Sequence, residues 1–319
     1  MASEPRTLQE AVTYFANPDN CLKYLAVRRW KDGVVRCPTC GSDKVAFLES
    51  RRLWQCKTRH PKAQFSIKVG TIFEDSALGL DKWLLAMWLV ANCKNGVSSY
   101  EISRDLGVTQ KAAWFMLQRL RLAMQDPNAA KLSGEVEIDE TYIGGKARNM
   151  HKDRKERMMA GKGGGPVGKI GVQGMLERDG EVRTKVLTRP HHGWDMVQNV
   201  KERVEVGSQV FTDELLAYFS LRADYAHEFV NHAETYVRGN IHTNGLENFW
   251  SLLKRGLGGT YVSVEPFHLF RYVDEQAWRY NHRKDMKDAD RMSVLASQVV
   301  GKRLTFAELT GKVGKERLN

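Results

Sequence analysis

A chain of 319 residues with 42% hydrophobic side chains is long enough for two or three domains, each with its own core. Its formal charge of +11 and sequence pI near 9.4 point to a polyanionic partner, nucleic acid before membrane. The polar start MASEPRTLQE carries no signal-peptide pattern, and the longest apolar run, Trp83 to Ala91, is far short of the roughly 20 residues of a spanning helix. A cytoplasmic protein with no membrane partner is expected, in a reducing compartment where cysteines serve metals more often than disulfides.

In chain order, the first feature is a CxxC knuckle, Cys37-Pro-Thr-Cys40, followed by Cys56 and then His60. The segment between them, GSDKVAFLESRRLWQ, has two strand-like pieces. Two thiolates from one turn and a second pair from the facing turn give Zn²⁺ its tetrahedron, so these four residues are the expected ligands of a structural zinc ribbon. His60 is the weaker member, because a histidine in a basic loop beside Lys57, Arg59 and Lys62 is ordinarily a surface residue. Cys21 and Cys93 stand alone and read as core residues.

A helical stretch follows, with Asp81 as its cap. The segment SSYEISRDLGVTQKAAWFMLQRLRLAM then has a helix-turn-helix layout: Ser98 or Ser99 caps a short helix, Gly107 makes the turn and Thr109 caps a second helix. On that second helix Lys111, Arg119 and Arg121 are candidate DNA contacts. An ordinary helical hairpin would share the same core, and the basic chain favours DNA binding.

After a linker from Asp126 to Ser133 the pattern becomes α/β. Strands are expected near 134–144, 168–177 and 181–188, then a helix near 192–205, a strand ending at Asp213, a short strand around His227–Val230, a helix around Glu247 and a long helix over 265–283. Consecutive strands followed by alternation with helices suggest a mixed sheet covered by helices, the ribonuclease-H-like arrangement. Between Lys146 and Lys169 a glycine-rich stretch holds eight basic residues against two acids. The expected organisation is a zinc ribbon with an N-terminal helical segment over 1–75, a helix-turn-helix region over 76–130, a ribonuclease-H-like catalytic domain over 131–285 and a basic tail over 286–319.

Three carboxylates carry the chemistry. Asp139 lies in EVEIDETYIGG, where Val136 and Ile138 share one face of a strand and Glu135, Glu137 and Asp139 the other. Asp213 ends the apolar run QVFTD, and Glu247 lies in the first turn of an amphipathic helix whose apolar face is Leu246, Phe249, Trp250 and Leu253. Singly each reads as a solvated turn residue, a cap or an answer to a helix dipole. Together, in this order, they can converge on a pair of Mg²⁺ or Mn²⁺ ions as in two-metal phosphoryl transfer. Glu140 and Glu214 are weaker candidates. Asn244 can be a cap, a neighbour of the metals or the third ligand itself; His242 is equally ambiguous. Lys254, two helical turns after Glu247, and Arg255 could hold a DNA phosphate.

CPTC, WQCKTRHPKAQFSIKVGTIFEDS, EIDETYIGGK, VFTDE, HTNGLENFWSLLKRGLGGTY and HLFRYVDEQAWRYNHR together resemble the bacterial insertion-sequence transposases of the DDE class, and within them the ISXO-like group with a zinc ribbon ahead of the catalytic domain. The resemblance spans about residues 15 to 285. It implies a ribonuclease-H-like core, Mg²⁺ dependence, binding to terminal inverted repeats and target DNA, and a triad on Asp139, Asp213 and Glu247 with Lys254 as its basic follower. Some members carry Asn as the third ligand, which keeps Asn244 and Asn248 beside Glu247. Pairing two DNA ends suggests a homodimer or a higher oligomer on DNA. The competing readings are a nuclease or resolvase on the same core and a domesticated DNA-binding regulator.

Overall fold

The computed structural model describes residues 3–145, 153, 168–187, 193–213, 216–229 and 242–311. The basic stretch that begins at Lys146 lies almost wholly outside the described residues, as do Glu214 and Val230. The chain divides into two compact units, one of Met1–Asp126 with His282–Asn319 and one of Pro127–Asn281.

In the first unit, α1 (Leu8–Phe15) and α2 (Pro18–Arg29) start where Thr7 and Asn17 side chains accept backbone N–H bonds, with Pro18 pre-set for the first turn. Strands β1 (Val45–Leu48), β2 (Leu53–Cys56) and β3 (Gln64–Phe65) form an antiparallel sheet in chain order. Trp54 holds it together, stacked on Phe65 with ring centroids 5.9 Å apart and edge-on to Trp30 at 5.2 Å. Helix α3 (Leu80–Asn92) is capped by Gly79, so Asp81 sits within the first turn rather than at the cap, where it still answers the helix dipole. Helix α4 (Ser99–Leu106) begins in a reciprocal Ser98–Glu101 capping box and ends at Gly107, whose φ of 60° is left-handed. Helix α5 (Gln110–Met124) follows at once, its Thr109 side chain accepting the Ala112 N–H.

Two of the residues expected to meet DNA on α5 are interior. Arg119 and Arg121 are only 4% and 1% exposed. The Arg119 guanidinium donates to the backbone carbonyls of Leu304 (2.9 Å), Ile72 (2.9 Å) and Glu74 (2.7 Å), which ties the start and end of the chain into one core. A cation already surrounded by carbonyls has no face left for a phosphate. Lys111, at the start of α5, is exposed, with its ammonium 4.7 Å from the Phe306 ring centroid. Arg119→Ala is accordingly expected to lower the stability of this unit by about 3 kcal/mol, read as an earlier urea midpoint. An unchanged midpoint with a shallower salt dependence of DNA binding would return Arg119 to the DNA-facing set.

The segment past His282 belongs to the same unit. A helix over Asp288–Ser297 lies against α3, with Arg291 Nε donating to Asn92 Oδ1 at 2.8 Å and Arg28 Nε to Ser293 Oγ at 3.1 Å. The backbone then bridges Thr71 to Val300, and the Ile72 N–H donates to the Val299 carbonyl at 3.0 Å.

The second unit is built on five strands: β4 (Glu135–Ile143), β5 (Ile170–Glu177), β6 (Val182–Val186), β7 (Gln209–Thr212) and β8 (Ala226–Phe229). Their order is β6-β5-β4-β7-β8. The first three are mutually antiparallel, and β7 and β8 run parallel to β4. This is the mixed, ribonuclease-H-like sheet expected from the sequence. Helix α6 (Gly193–Arg203) and a 3₁₀ segment over Leu216–Ala223 cover one face, over Val136, Ile138, Met175, Val197, Val200 and Tyr218. Helices α7 (Asn244–Arg255) and α8 (Leu269–Asn281) cover the other, over Val172, Leu176, Phe249, Leu253 and Val273. Each such side chain contributes about 1.5–3 kcal/mol through burial, and the alternation along β4 is what divides its residues between the two layers. Among the described residues no helix is long and apolar enough to cross a membrane.

Candidate metal centres

In the ribbon, Cys37, Cys40, Cys56 and His60 offer ligand atoms that all lie within 4.8 Å of one another. The Cys40 and Cys56 sulfurs are 3.6 Å apart, and Cys37 Sγ is 3.5 Å from His60 Nε2. A tetrahedral Zn²⁺ with bonds of about 2.3 Å sets its sulfurs roughly 3.8 Å apart, so the donor set has the spacing the ion demands. His60 Nδ1 lies 2.6 Å from the Pro61 carbonyl; the tautomer that donates there turns the Nε2 lone pair inward. Burial pushes the Cys56 thiol up, but bonds from the His60 side chain and the Thr58 backbone outweigh it and bring it down to about 6, within reach of the thiolate form at neutral pH. His60, the weaker assignment on sequence, is thus a full member of the group.

The second centre lies where β4 outruns its neighbour. Parallel pairing of β4 with β7 ends at Glu137 opposite Phe211. Two residues further along each segment stand Asp139, midway along β4, and Asp213, just past the end of β7. β7 stops at Thr212 while β4 runs on to Ile143, so past Glu137 the β7 side of β4 has no paired strand among the described residues. Glu140, on the opposite face from Asp139, still brings a carboxylate oxygen within 4.8 Å of those of Asp139 and Asp213.

Burial pushes the Asp139 carboxyl up to about 6; the Trp250 indole N–H, which donates to Oδ2 at 2.9 Å, opposes that, and the charges of Asp213 and Glu247 add to it. Burial and the same two aspartates hold Glu140 well above the usual carboxylate range. A pocket that makes carboxylates this reluctant to ionise is one that a divalent cation would neutralise, and an all-oxygen donor set suits Mg²⁺ or Mn²⁺.

Glu247 stands on the exposed side of the first turn of α7, outside the group formed by Asp139, Glu140 and Asp213, but near enough for its charge to bear on Asp139. Asn244 and Asn248 are also exposed on α7, as are Lys254 and Arg255 in its last turn. The side chain of His242 puts Nδ1 3.2 Å from Glu137 Oε1, so its partner is a carboxylate away from the Asp139 group.

Two residues that matter to this centre were not singled out from the sequence. Glu137 is 1% exposed; its Oε2 accepts the Leu246 N–H at 3.1 Å, in the first turn of α7, while Oε1 faces Arg178 Nε at 3.2 Å. A buried carboxylate at the positive end of a helix fixes where that helix begins. Trp250, counted only as an apolar position, supplies the N–H on Asp139. The signal for both was the acid face of β4, which needed a donor-bearing element opposite it. Close approach of α7 to the sheet depends on two glycines: a Cβ at Gly174 would meet the Trp250 ring at 2.6 Å, and one at Gly245 would meet Leu176 at 2.5 Å and Glu137 Oε2 at 2.8 Å.

Residues 131–281 match the ISXO2-like transposase domain, and residues 16–58 match the transposase zinc-ribbon domain. The chain thus carries an ISXO2-like transposase domain behind a transposase zinc ribbon. It is also similar to an uncharacterized protein in transposable element ISH50 of Halobacterium salinarum, with 29% identity over 253 residues, covering 76% of this chain and 84% of the relative. The two centres divide between these domains: the first falls in the matched ribbon, with His60 two residues past its end, and the second falls in the matched transposase domain.

Proposed function

We propose that this transposase binds the terminal inverted repeats of its own insertion sequence and carries out Mg²⁺- or Mn²⁺-dependent strand cleavage and strand transfer. The observation that carries the reading is the meeting of Asp139, on β4, with Asp213, just past the end of the adjacent parallel strand β7, inside the matched transposase domain. Asp139 and Asp213 hold the ions, and Glu247, whose charge already bears on Asp139, completes the set from α7. Bound there, the ions would activate water or a 3′-hydroxyl and neutralise charge developing at phosphorus. Trp250 fixes the orientation of the Asp139 carboxylate through its indole N–H. Lys254 and Arg255, exposed at the end of the same helix, hold a DNA phosphate alongside. Helices α4 and α5 with the turn at Gly107 read the DNA as a helix-turn-helix, with Lys111 at the exposed start of α5. Concerted joining of two ends calls for at least a dimer.

The test is a strand-transfer assay. Zinc-loaded protein is incubated with a duplex ending in the inverted repeat that flanks its own gene and a supercoiled target, with Mg²⁺ or with chelator. Joined products that vanish with chelator are expected. Cutting without joining would make the protein a nuclease or resolvase, and binding without cutting a DNA-binding regulator.

A further inference from the structure

The carboxylate group formed by Asp139, Glu140 and Asp213 contains an acid, Glu140, that the triad of Asp139, Asp213 and Glu247 does not use, and its anchoring sets it apart from a surface glutamate. Tyr218, fully buried on the 3₁₀ segment, donates its hydroxyl hydrogen to Glu140 Oε1. Gln173, fully buried on β5, donates through Nε2 both to the Tyr218 hydroxyl at 2.8 Å and to the Met196 carbonyl at 3.1 Å. Its Oε1 in turn accepts from Asn199 Nδ2 at 3.2 Å. Each amide hydrogen of Gln173 is therefore committed, which leaves the Tyr218 oxygen as acceptor and its single hydrogen for Glu140. The chain of bonds runs one way, from α6 through β5 to β4, and ends by presenting Glu140 with a donor. Such a directed buried network rigidifies the group at its end.

Behind Glu140 there is thus a built support, and in front of it are Asp139 and Asp213. The side chain is held from behind by buried hydrogen bonds while a carboxylate oxygen lies within 4.8 Å of those of both aspartates. This meeting of side chains from opposite faces of β4 lies past the end of its pairing with β7.

Resting on the metal-dependent reading above, we infer that Glu140 is an additional ligand of the divalent-ion centre, positioned by the Tyr218–Gln173–Asn199 relay, so that this centre takes carboxylates from both faces of β4. Glu140→Gln keeps the size of the side chain and an oxygen to accept from Tyr218, so the fold is retained while a negative ligand is lost.

The experiment measures Mn²⁺ binding to full-length, zinc-loaded protein without DNA, by titration calorimetry and by the loss of free-Mn²⁺ resonance signal, for wild type, Glu140→Gln and Asp139→Asn. Thermal midpoints in chelator, which remain readable if binding is lost, report whether each variant is folded. The expected result is that Glu140→Gln weakens Mn²⁺ binding at least tenfold, as Asp139→Asn does, while its metal-free midpoint stays at or above that of wild type. Wild-type affinity in Glu140→Gln with lost affinity in Asp139→Asn overturns the assignment of Glu140 and leaves the proposed function standing. A wild-type protein that binds no Mn²⁺ under these conditions overturns both. A metal-free midpoint that drops sharply in Glu140→Gln makes the residue structural and also overturns the assignment.

Discussion

Asp139→Asn is expected to abolish metal-dependent cutting and joining while leaving binding to the inverted repeats intact. A carboxylate that holds an ion at the reacting phosphate supplies several kcal/mol, so the loss should be on the order of 10³-fold or more. Asparagine can still accept the Trp250 indole bond, so α7 should keep its seat on the sheet. The same substitution has a readout that needs no DNA. In the metal-free protein Asp139 titrates near 6, above its usual 3.8. The folded state therefore holds this proton more tightly than the unfolded chain does, and stability falls as pH rises from about 4 to about 6, then levels off. The penalty at neutral pH is roughly 3 kcal/mol, and Asp139→Asn removes it. Thermal melts in chelator at pH 7.5 should show the variant more stable than wild type, with the difference closing towards pH 4 and reversing in sign when saturating Mg²⁺ is added. Cleavage at the wild-type rate would remove Asp139 from the triad, and a variant less stable in chelator would mean that Asp139 is held by bonds beyond Trp250.

The second large effect concerns the ribbon. Its sheet is three short strands around Trp54, Phe65 and Trp30, too small a core to stand without a cross-link. Structural zinc in comparable small domains is worth about 10–16 kcal/mol of apparent binding energy, which exceeds anything those aromatic contacts can replace. Cys37→Ser, or removal of the ion with a strong chelator at neutral pH, is therefore expected to unfold residues 37–65 while the β4–β8 sheet survives. One Zn²⁺ per chain by metal analysis, lost in Cys37→Ser together with the protease resistance of this segment, is the expected pattern. His60→Ala tests the fourth ligand separately: retained stoichiometry with affinity unchanged would mean that three thiolates and a water suffice.

Much of the architecture was legible because it follows from short-range rules. Alternation along 135–139 forecast which side chains of β4 face the acid layer, and the structure divides them in that way between the two helical layers. Ser98, Gly107 and Thr109 mark helix ends because a hydroxyl beside orphan N–H groups and a residue free to adopt positive φ do so wherever they occur. The Cys-x-x-Cys knuckle is equally local, as metal geometry restricts the spacing of the ligands.

What escaped the reading was long-range. Arg119 and Arg121 have the composition of a DNA-facing helix, but the partners that bury Arg119 are the carbonyls of Ile72, Glu74 and Leu304, up to 185 residues away. No pattern near residue 119 announces them. The segment from Asp288, basic and seemingly terminal, supplies a helix to the first unit through the Arg291–Asn92 and Arg28–Ser293 bonds.

By itself, then, the sequence determined the ligands of the ribbon, the order of strands and helices and the identity of the acids on β4, all of which depend on residue type and spacing. Only the tertiary structure decided which acids meet. Glu137 and Asp139 share a face and a charge, yet one is neutralised by Arg178 and the start of α7 while the other is left beside Asp213. Glu140, which alternation places on the opposite face of β4 from Asp139, still brings a carboxylate oxygen to Asp139 and Asp213, past the end of the β4–β7 pairing. The reason is that alternation fixes the face on which a side chain leaves the strand, while the partners it meets there come from elements distant in sequence, as Tyr218 does for Glu140 and Trp250 for Asp139.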